Sequence, residues 1–213
     1  KLPDDQAQHL IDFAKSGKPM MGLRTATHGF RSCKFSFGPP ILGEGWVAHH
    51  GAHKREACRG ILVDGKKDHP ILRGVKDIFA PIHVHPVKID RLKERGANFL
   101  VLGAVLENMD PNSKPVENKK NNPMMPIAWT NVRKSKSGKK QRVFSSTFGA
   151  SRSYTREGSR RLLVNACYWC VGLEDQIDAN SKVGIVGDYE PTKFGFGKHI
   201  PDIRPADLVK TAQ

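Results

Sequence analysis

The chain has 213 residues, a formal net charge of +14, 38% hydrophobic and 26% charged residues, and four cysteines. That length suits one domain with room for a sizeable core, no apolar run nears the ~20 residues that span a bilayer, and the cysteines are too few for a disulfide scaffold. Much of the positive charge lies in "RKSKSGKKQR" (133–142), a Ser/Gly/Lys segment between two strand-like runs that reads as a solvated hairpin loop. No recognition helix, zinc finger or aromatic stacking motif accompanies it, so nucleic acid is not an expected partner.

The chain opens at Lys1 and enters a helical pattern almost at once. The expectation is a processed or truncated product that lacks one or more N-terminal strands, with export implied if a signal segment preceded Lys1. "DDQAQHLIDFAKSGK" places Ala7, Leu10, Ile11 and Ala14 on one helical face, with Asp4 as cap and Gly17 as terminator. "KPMMGLRT" reads as a buried strand over 19–24, followed by a long Gly/Pro-rich loop to His53. "ACRGILVD" and "NFLVLGAVL" predict strands over 58–63 and 99–106, and "PIHVHPVKI" alternates like another. "HPILRGVKDI" predicts a helical turn, and 107–123 has the composition of an exposed loop.

"MPIAWTNV" and "QRVFSSTFG" read as a hairpin around the basic loop. "TREGSRRLLVNACYWCVGLE" predicts a helix over 156–172, capped by Thr155 and apolar nearly all round from Leu162 to Val171. Cys167 and Cys170 fall late in it, where no helix N-terminus lowers a thiol pKa, and read as buried apolar residues; a zinc site there would need Cys33 and Cys58 as well. These elements predict an α/β domain over 1–175, with strands 19–24, 58–63 and 99–106 in one mainly parallel sheet. An irregular Pro/Gly-rich extension over 176–213 wraps its surface.

In order along the chain, "GKPMMGLRTATHGF", "GWVAHHGAH", "DHPILRGVKDI", "MPIAWT", "RVFSSTFGAS" and "RRLLVNACYWCVGLE" resemble the ThuA-like (trehalose-utilisation) family. The tail "PTKFGFG" is similar to its planctomycete-type branch. The resemblance implies a class I glutamine amidotransferase-like fold, that is, a flavodoxin-like three-layer sandwich, with a pocket at the C-terminal strand edge and a link to carbohydrate metabolism in bacteria. In amidotransferases the strand matching 19–24 ends in an elbow that carries a catalytic cysteine. Here Arg24 holds that place, and "HPV" at 85–87 lacks the acid of an amidotransferase His-Pro-Glu, so glutaminase chemistry is not expected.

The chemistry that remains is histidine. "HHGAH" spaces His49 and His53 at i, i+4 and His50 and His53 at i, i+3, "HVH" puts His83 and His85 on one strand face, and His28 follows the elbow. The expected catalytic set is His28, His50 and His53, and the same three could ligate a divalent metal such as zinc. His50 and His53 rank above the strand pair, because relatives carry an acid at the position of His83 and tyrosine at that of His85. Separate surface histidines are the plain alternative. Arg24, Thr25 and Thr27 suit a hydroxyl-rich or carboxylate substrate, with Trp129 as a ring face for a pyranose. Equally, Arg24 reads as a structural donor to backbone carbonyls and Trp129 as core. Arg24, His28, His50 and His53 are expected to line one pocket. The function expected is binding of a carbohydrate or oxidised sugar derivative, with hydrolysis or isomerisation by histidine or metal assistance. The alternative is a non-catalytic sugar-binding or protein-interaction domain.

Overall fold

Six strands pair into one sheet in the computed structural model, which describes residues 3–30, 36–135, 138–193, 195, 197 and 201–208. They are β1 (Met20–Leu23), β2 (Cys58–Leu62), β3 (Phe79–Ala80), β4 (Asn98–Val105), β5 (Met125–Lys134) and β6 (Lys140–Ser146), in the order β1–β6–β5–β4–β2–β3. The helices are α1 (Asp4–Lys15), α2 (Ile89–Glu94) and α3 (Glu157–Val171).

Helices cover both faces of the sheet, as the side-chain alternation along β6 makes plain. Val143 packs with Ile11 and Ala14 of α1, whereas the next residue, Phe144, packs on the other side with Leu162 and Ala166 of α3. Trp129 of β5 faces away from the α3 side, against Val87 and against Leu92 of α2. The architecture is therefore a mixed α/β sandwich.

The mainly parallel sheet expected from the apolar runs does not form. Only β1 and β6 are parallel; β5–β6, β4–β5, β2–β4 and β2–β3 are all antiparallel. Part of the reason is local. The short turn between Lys134 and Lys140, closed by Ser135 N–H to Lys139 O at 2.8 Å, can join only antiparallel neighbours. Continuous apolar character reports burial on both faces, which this sheet has without being parallel. The "PIHVHPVKI" run (81–89) supplies no residue to the sheet: β3 ends just before it at Ala80, residues 81–88 form no regular element, and Ile89 already opens α2.

Helix α3 also differs from its expected form. Its buried side carries Leu162, Asn165, Ala166, Trp169 and Cys170, while Val171 is 62% exposed and Val164 and Tyr168 face outward too. Thr155 does not cap it; its hydroxyl donates to Arg152 O, and the cap position is Arg156. At the other end Gly172, at φ 83°, supplies the left-handed turn that ends the helix. Helix α1 likewise starts without a side-chain cap.

Arginines donating to carbonyls fasten residues 173–193 over this face. Arg73 reaches Glu174 O and Ile177 O, Arg161 reaches Ser181 O, and Arg160 reaches Val183 O. Tyr189 then donates to Ser151 O, and Ser151 to Thr192 O. The strap so fixed ends beside the C-terminal end of the sheet.

The first turn of α3 lies directly against residues 76–77, and a Cβ at Gly158 would overlap Lys76 O. Gly158→Ala should therefore cost about 1–3 kcal/mol by overpacking, lowering Tm by ~2–4 °C per kcal/mol. A thermal melt unchanged from the parent would show that this approach is looser than the structure has it.

Candidate functional site

Strand β1 ends in a strained residue. Arg24 has φ 52°, a left-handed conformation that costs a non-glycine residue energy, and residues Arg24–Thr27 follow as a 3-10 turn. Strand, strained residue and helical turn together make the elbow geometry that in other α/β proteins presents a nucleophile. Here it presents a guanidinium.

The pairing of β1 with β6 sets Leu23 opposite Ser146, so Thr147 lies beside Arg24. Arg24 Nη1 donates to Thr147 O at 3.0 Å and to His85 Nε2 at 2.6 Å, and Nη2 donates to His83 Nε2 at 3.2 Å. An arginine can only donate, so both imidazoles accept through unprotonated Nε2 atoms. His83 and His85 are both buried and, although 83–85 is not a strand, both rings meet the Arg24 guanidinium as the same-face reading of "HVH" expected. Burial foremost, then Arg24, holds His83 down to about 3 and His85 down to about 2. Burial also lowers Arg24 itself, to about 10.

His49 and His53 approach from the 43–57 loop, where His53 Nε2 and His49 Nδ1 lie 2.9 Å apart and share a hydrogen bond. His49 is exposed; partial burial, His53 and Arg24 all lower its pKa. Trp46 packs against the rings of His28, His49 and His85 at centroid distances of 4.7, 4.6 and 5.1 Å, and so fixes three imidazoles at once. His28 Nδ1 is 3.0 Å from the Thr27 hydroxyl.

These groups line a cavity of about 490 Å³ at the C-terminal end of β1 and β6. Arg24, Thr25, His28, His49, His53 and His85 form one wall; Pro81, Ile82, Met109 and Ala150 form an apolar one; and Lys54, Arg152, Thr192 and Lys193 complete the rim. Its formally charged residues are all cations, with no aspartate or glutamate among the lining.

The expected pocket thus gathers Arg24, Thr25, His28 and His53, but not His50. The backbone N–H of His50 is bound to Val84 O, and its ring faces the Lys119–Lys120 backbone and Glu56. Glu56 in turn pairs with Lys120 at 2.6 Å, so the chain reversal at 49–53 sends neighbouring histidines to opposite sides. Thr27 acts through His28 rather than on the cavity wall. Trp129 offers no ring face to a ligand: it is fully buried, and its indole N–H donates to Leu42 O at 2.9 Å. The tryptophan of the site is Trp46, which no periodicity singles out. Lys54, Arg152 and Lys193 are also absent from the sequence reading, since they come together only through the loop and the strap.

The metal set differs as well. His49, His83 and His85 bring one nitrogen each within 4.8 Å of one another and so could hold a metal ion, in place of His28, His50 and His53. Arg24 competes for that role, because a metal would need the Nε2 lone pairs that its guanidinium already engages, or a ring flip beside a fixed cation. His83 Nδ1 is buried without a partner, an atom available to such a flip. Among the described residues no cysteine lines the cavity. Cys58 is buried and pushed up to about 12, Cys170 also to about 12, and Cys33 lies outside the described residues, as do Phe194 and Phe196 of the tail motif.

Compared with protein-family models, curated proteins and solved structures, the chain matches none of them.

Two outcomes follow from this geometry. Arg24→Gly relieves the left-handed strain while freeing the Nε2 atoms of His83 and His85, so the variant should stay folded and bind zinc at least tenfold more tightly than the parent in a chelator competition assay. Stoichiometric zinc in the parent, unaffected by Arg24→Gly and lost in His85→Ala, would make the cluster a resident metal centre instead. The second concerns acid. His83 and His85 have folded pKa values of about 3 and about 2 against 6.5 when unperturbed, so the unfolded chain binds more protons between those limits. Their contribution is present above pH 6.5 and is lost as pH falls toward 3. Urea midpoints should fall less steeply across that window in His85→Gln than in the parent. Equal slopes would show that the ring titrates normally.

Proposed function

We propose that this chain is a ThuA-like domain of class I glutamine amidotransferase-like, flavodoxin-like architecture, and that its Arg24 cavity binds a sugar acid or related oxidised sugar derivative. Helices on both faces, a parallel β1–β6 pair and a strained elbow at the end of β1 support the family reading. The observation that carries the ligand reading is the state of Arg24. Its guanidinium is half-buried among uncharged acceptors in the lining of a cavity whose charged groups are wholly basic.

Among the described residues, two Nη1 hydrogens and one Nη2 hydrogen of Arg24 are engaged. The Nε hydrogen and the second Nη2 hydrogen are left for a ligand, a pairing suited to a carboxylate. An anion there supplies the counter-charge that the protein omits. The apolar wall of Pro81, Ile82 and Met109 receives the less polar face of a sugar ring, and the Thr25 hydroxyl serves its substituents.

Acid–base work then falls to His49, His53 and His28. His83 and His85 are neutral near pH 7, with Nε2 unprotonated, and serve to orient Arg24. In the His49–His53 pair one ring donates to the other, so a proton taken from substrate at His49 is shared with His53. No covalent nucleophile is assigned, because the strained elbow position itself is held by Arg24.

Calorimetry with glucuronate, gluconate and glucose tests the ligand. The acids should bind at least tenfold more tightly than glucose, and Arg24→Gly should abolish the difference. Where turnover of a sugar acid is found, His49→Ala should lower kcat by roughly 10²–10⁴ with little change in acid binding. Equal binding of acid and neutral sugar would sink the anion reading. Binding without turnover would leave a sugar-acid receptor that is not an enzyme.

A further inference from the structure

The histidine cavity does not end at its rim. A second cavity of about 330 Å³ adjoins it, and the two share Pro81, Met109, Arg152 and Lys193 as lining. Beyond the shared residues, the second chamber is walled by Phe79, Pro111, Thr155 and Arg156. Its formal charges are Arg152, Arg156 and Lys193, again with no carboxylate in the lining.

None of these cations is strongly neutralised within the protein. Arg152 and Lys193 have no ion-pair partner among the described residues. Arg156 meets Asp77 only at 3.5 Å, with both side chains largely in solvent at 41% and 68% exposure. An exposed pair of that kind is worth little, ~0–1 kcal/mol. Arg156 also lies over the Phe79 ring, its guanidinium carbon 5.6 Å from the centroid, so the side chain is held at the chamber wall. Lys193 arrives on the C-terminal strap, which Tyr189 and Thr192 tie to Ser151. The strap therefore helps to build the boundary between the chambers as well as cover the domain.

We propose that the two chambers are one cleft, and that the outer chamber binds an anionic substituent on a second sugar unit of the same ligand. This rests on the sugar-acid reading of the inner cavity and extends it from a monosaccharide acid to an acidic oligosaccharide. Arg24 holds the anionic group of the inner unit. Arg152 and Lys193 stand at the junction, and Arg156 meets the second anion. Pro81 and Met109 line both chambers and give the connected rings a shared apolar surface. Carboxylates and sulfate esters share the required chemistry, a compact anion with several acceptor oxygens.

The experiment is a calorimetric comparison of galacturonate, trigalacturonate, a sulfated disaccharide and neutral maltotriose on the full chain. Trigalacturonate, the sulfated disaccharide or both should bind at least tenfold more tightly than galacturonate, and that gain should shrink with added salt. Whichever shows the gain identifies the anion. Arg156→Ala should remove the gain while galacturonate affinity stays within twofold; Arg156→Gln, which keeps the contact with Phe79, gives the same readout in a less perturbed fold. Three results would overturn the second subsite while leaving the inner site standing: equal affinity for acidic monomer and oligomers, an equal gain for maltotriose, or a gain that survives both Arg156 variants. Failure of every sugar acid to bind would bring down the sugar reading itself, and the extended cleft with it.

Discussion

The structure around the site depends on satisfying one half-buried guanidinium. Removing a cation from water is costly unless hydrogen bonds or an opposite charge replace its hydration. For Arg24 the protein supplies a carbonyl and two imidazoles, and no carboxylate. Each of these acceptors is placed by a different part of the fold. The carbonyl of Thr147 is in reach because β1 and β6 run parallel and end together. The imidazoles are in reach because the irregular chain that leaves β3 carries His83 and His85 past the end of β1. The left-handed backbone at Arg24 turns the side chain toward all three.

The same constraint sorts the histidines into two kinds. Rings that accept from a permanent cation cannot also be protonated, so His83 and His85 are locked neutral and lose the capacity to move protons near neutral pH. The His49–His53 pair instead shares its own hydrogen bond and lines the cavity where a ligand anchored on Arg24 would meet it. A metal at His49, His83 and His85 would demand the opposite arrangement, with lone pairs pointing at a shared centre and the guanidinium elsewhere. The two arrangements compete for the same imidazole lone pairs, which makes the position of Arg24 a deciding variable between them.

The sequence was readable where chemistry is local and silent where it depends on assembly. The end of "MMGLRT" marked the elbow because an apolar run stops abruptly at a charge. "HVH" brought two side chains to the same guanidinium, as a same-face reading expects, although no strand forms there. The parallel sheet was misread because two-sided burial makes a strand apolar in either orientation. His50 was misplaced because i, i+3 spacing brings residues together only on a helix, and 49–53 folds as a non-helical reversal. Trp129 and Trp46 could not be told apart as site residues by composition. One is enclosed by Leu92 and Val87 and the other by histidines, and both environments are made by distant segments.

The strap illustrates the last point most fully. By composition, residues 176–193 are a Pro/Gly-rich tail with no period, the kind of segment that carries no fold information of its own. Arginines of the domain impose its path by donating to its carbonyls, a mode of recognition blind to the side chains of the strap. Ile177 and Val183 are buried along the path, most of the other strap side chains are exposed, and at its end Lys193 reaches the boundary between the two cavities. A backbone-held strap can therefore change its terminal residues without disturbing the sheet or the half-buried arginine. Ligand preference at the rim and the architecture of the floor are physically separable in this fold, and the charge of the rim is the part free to vary.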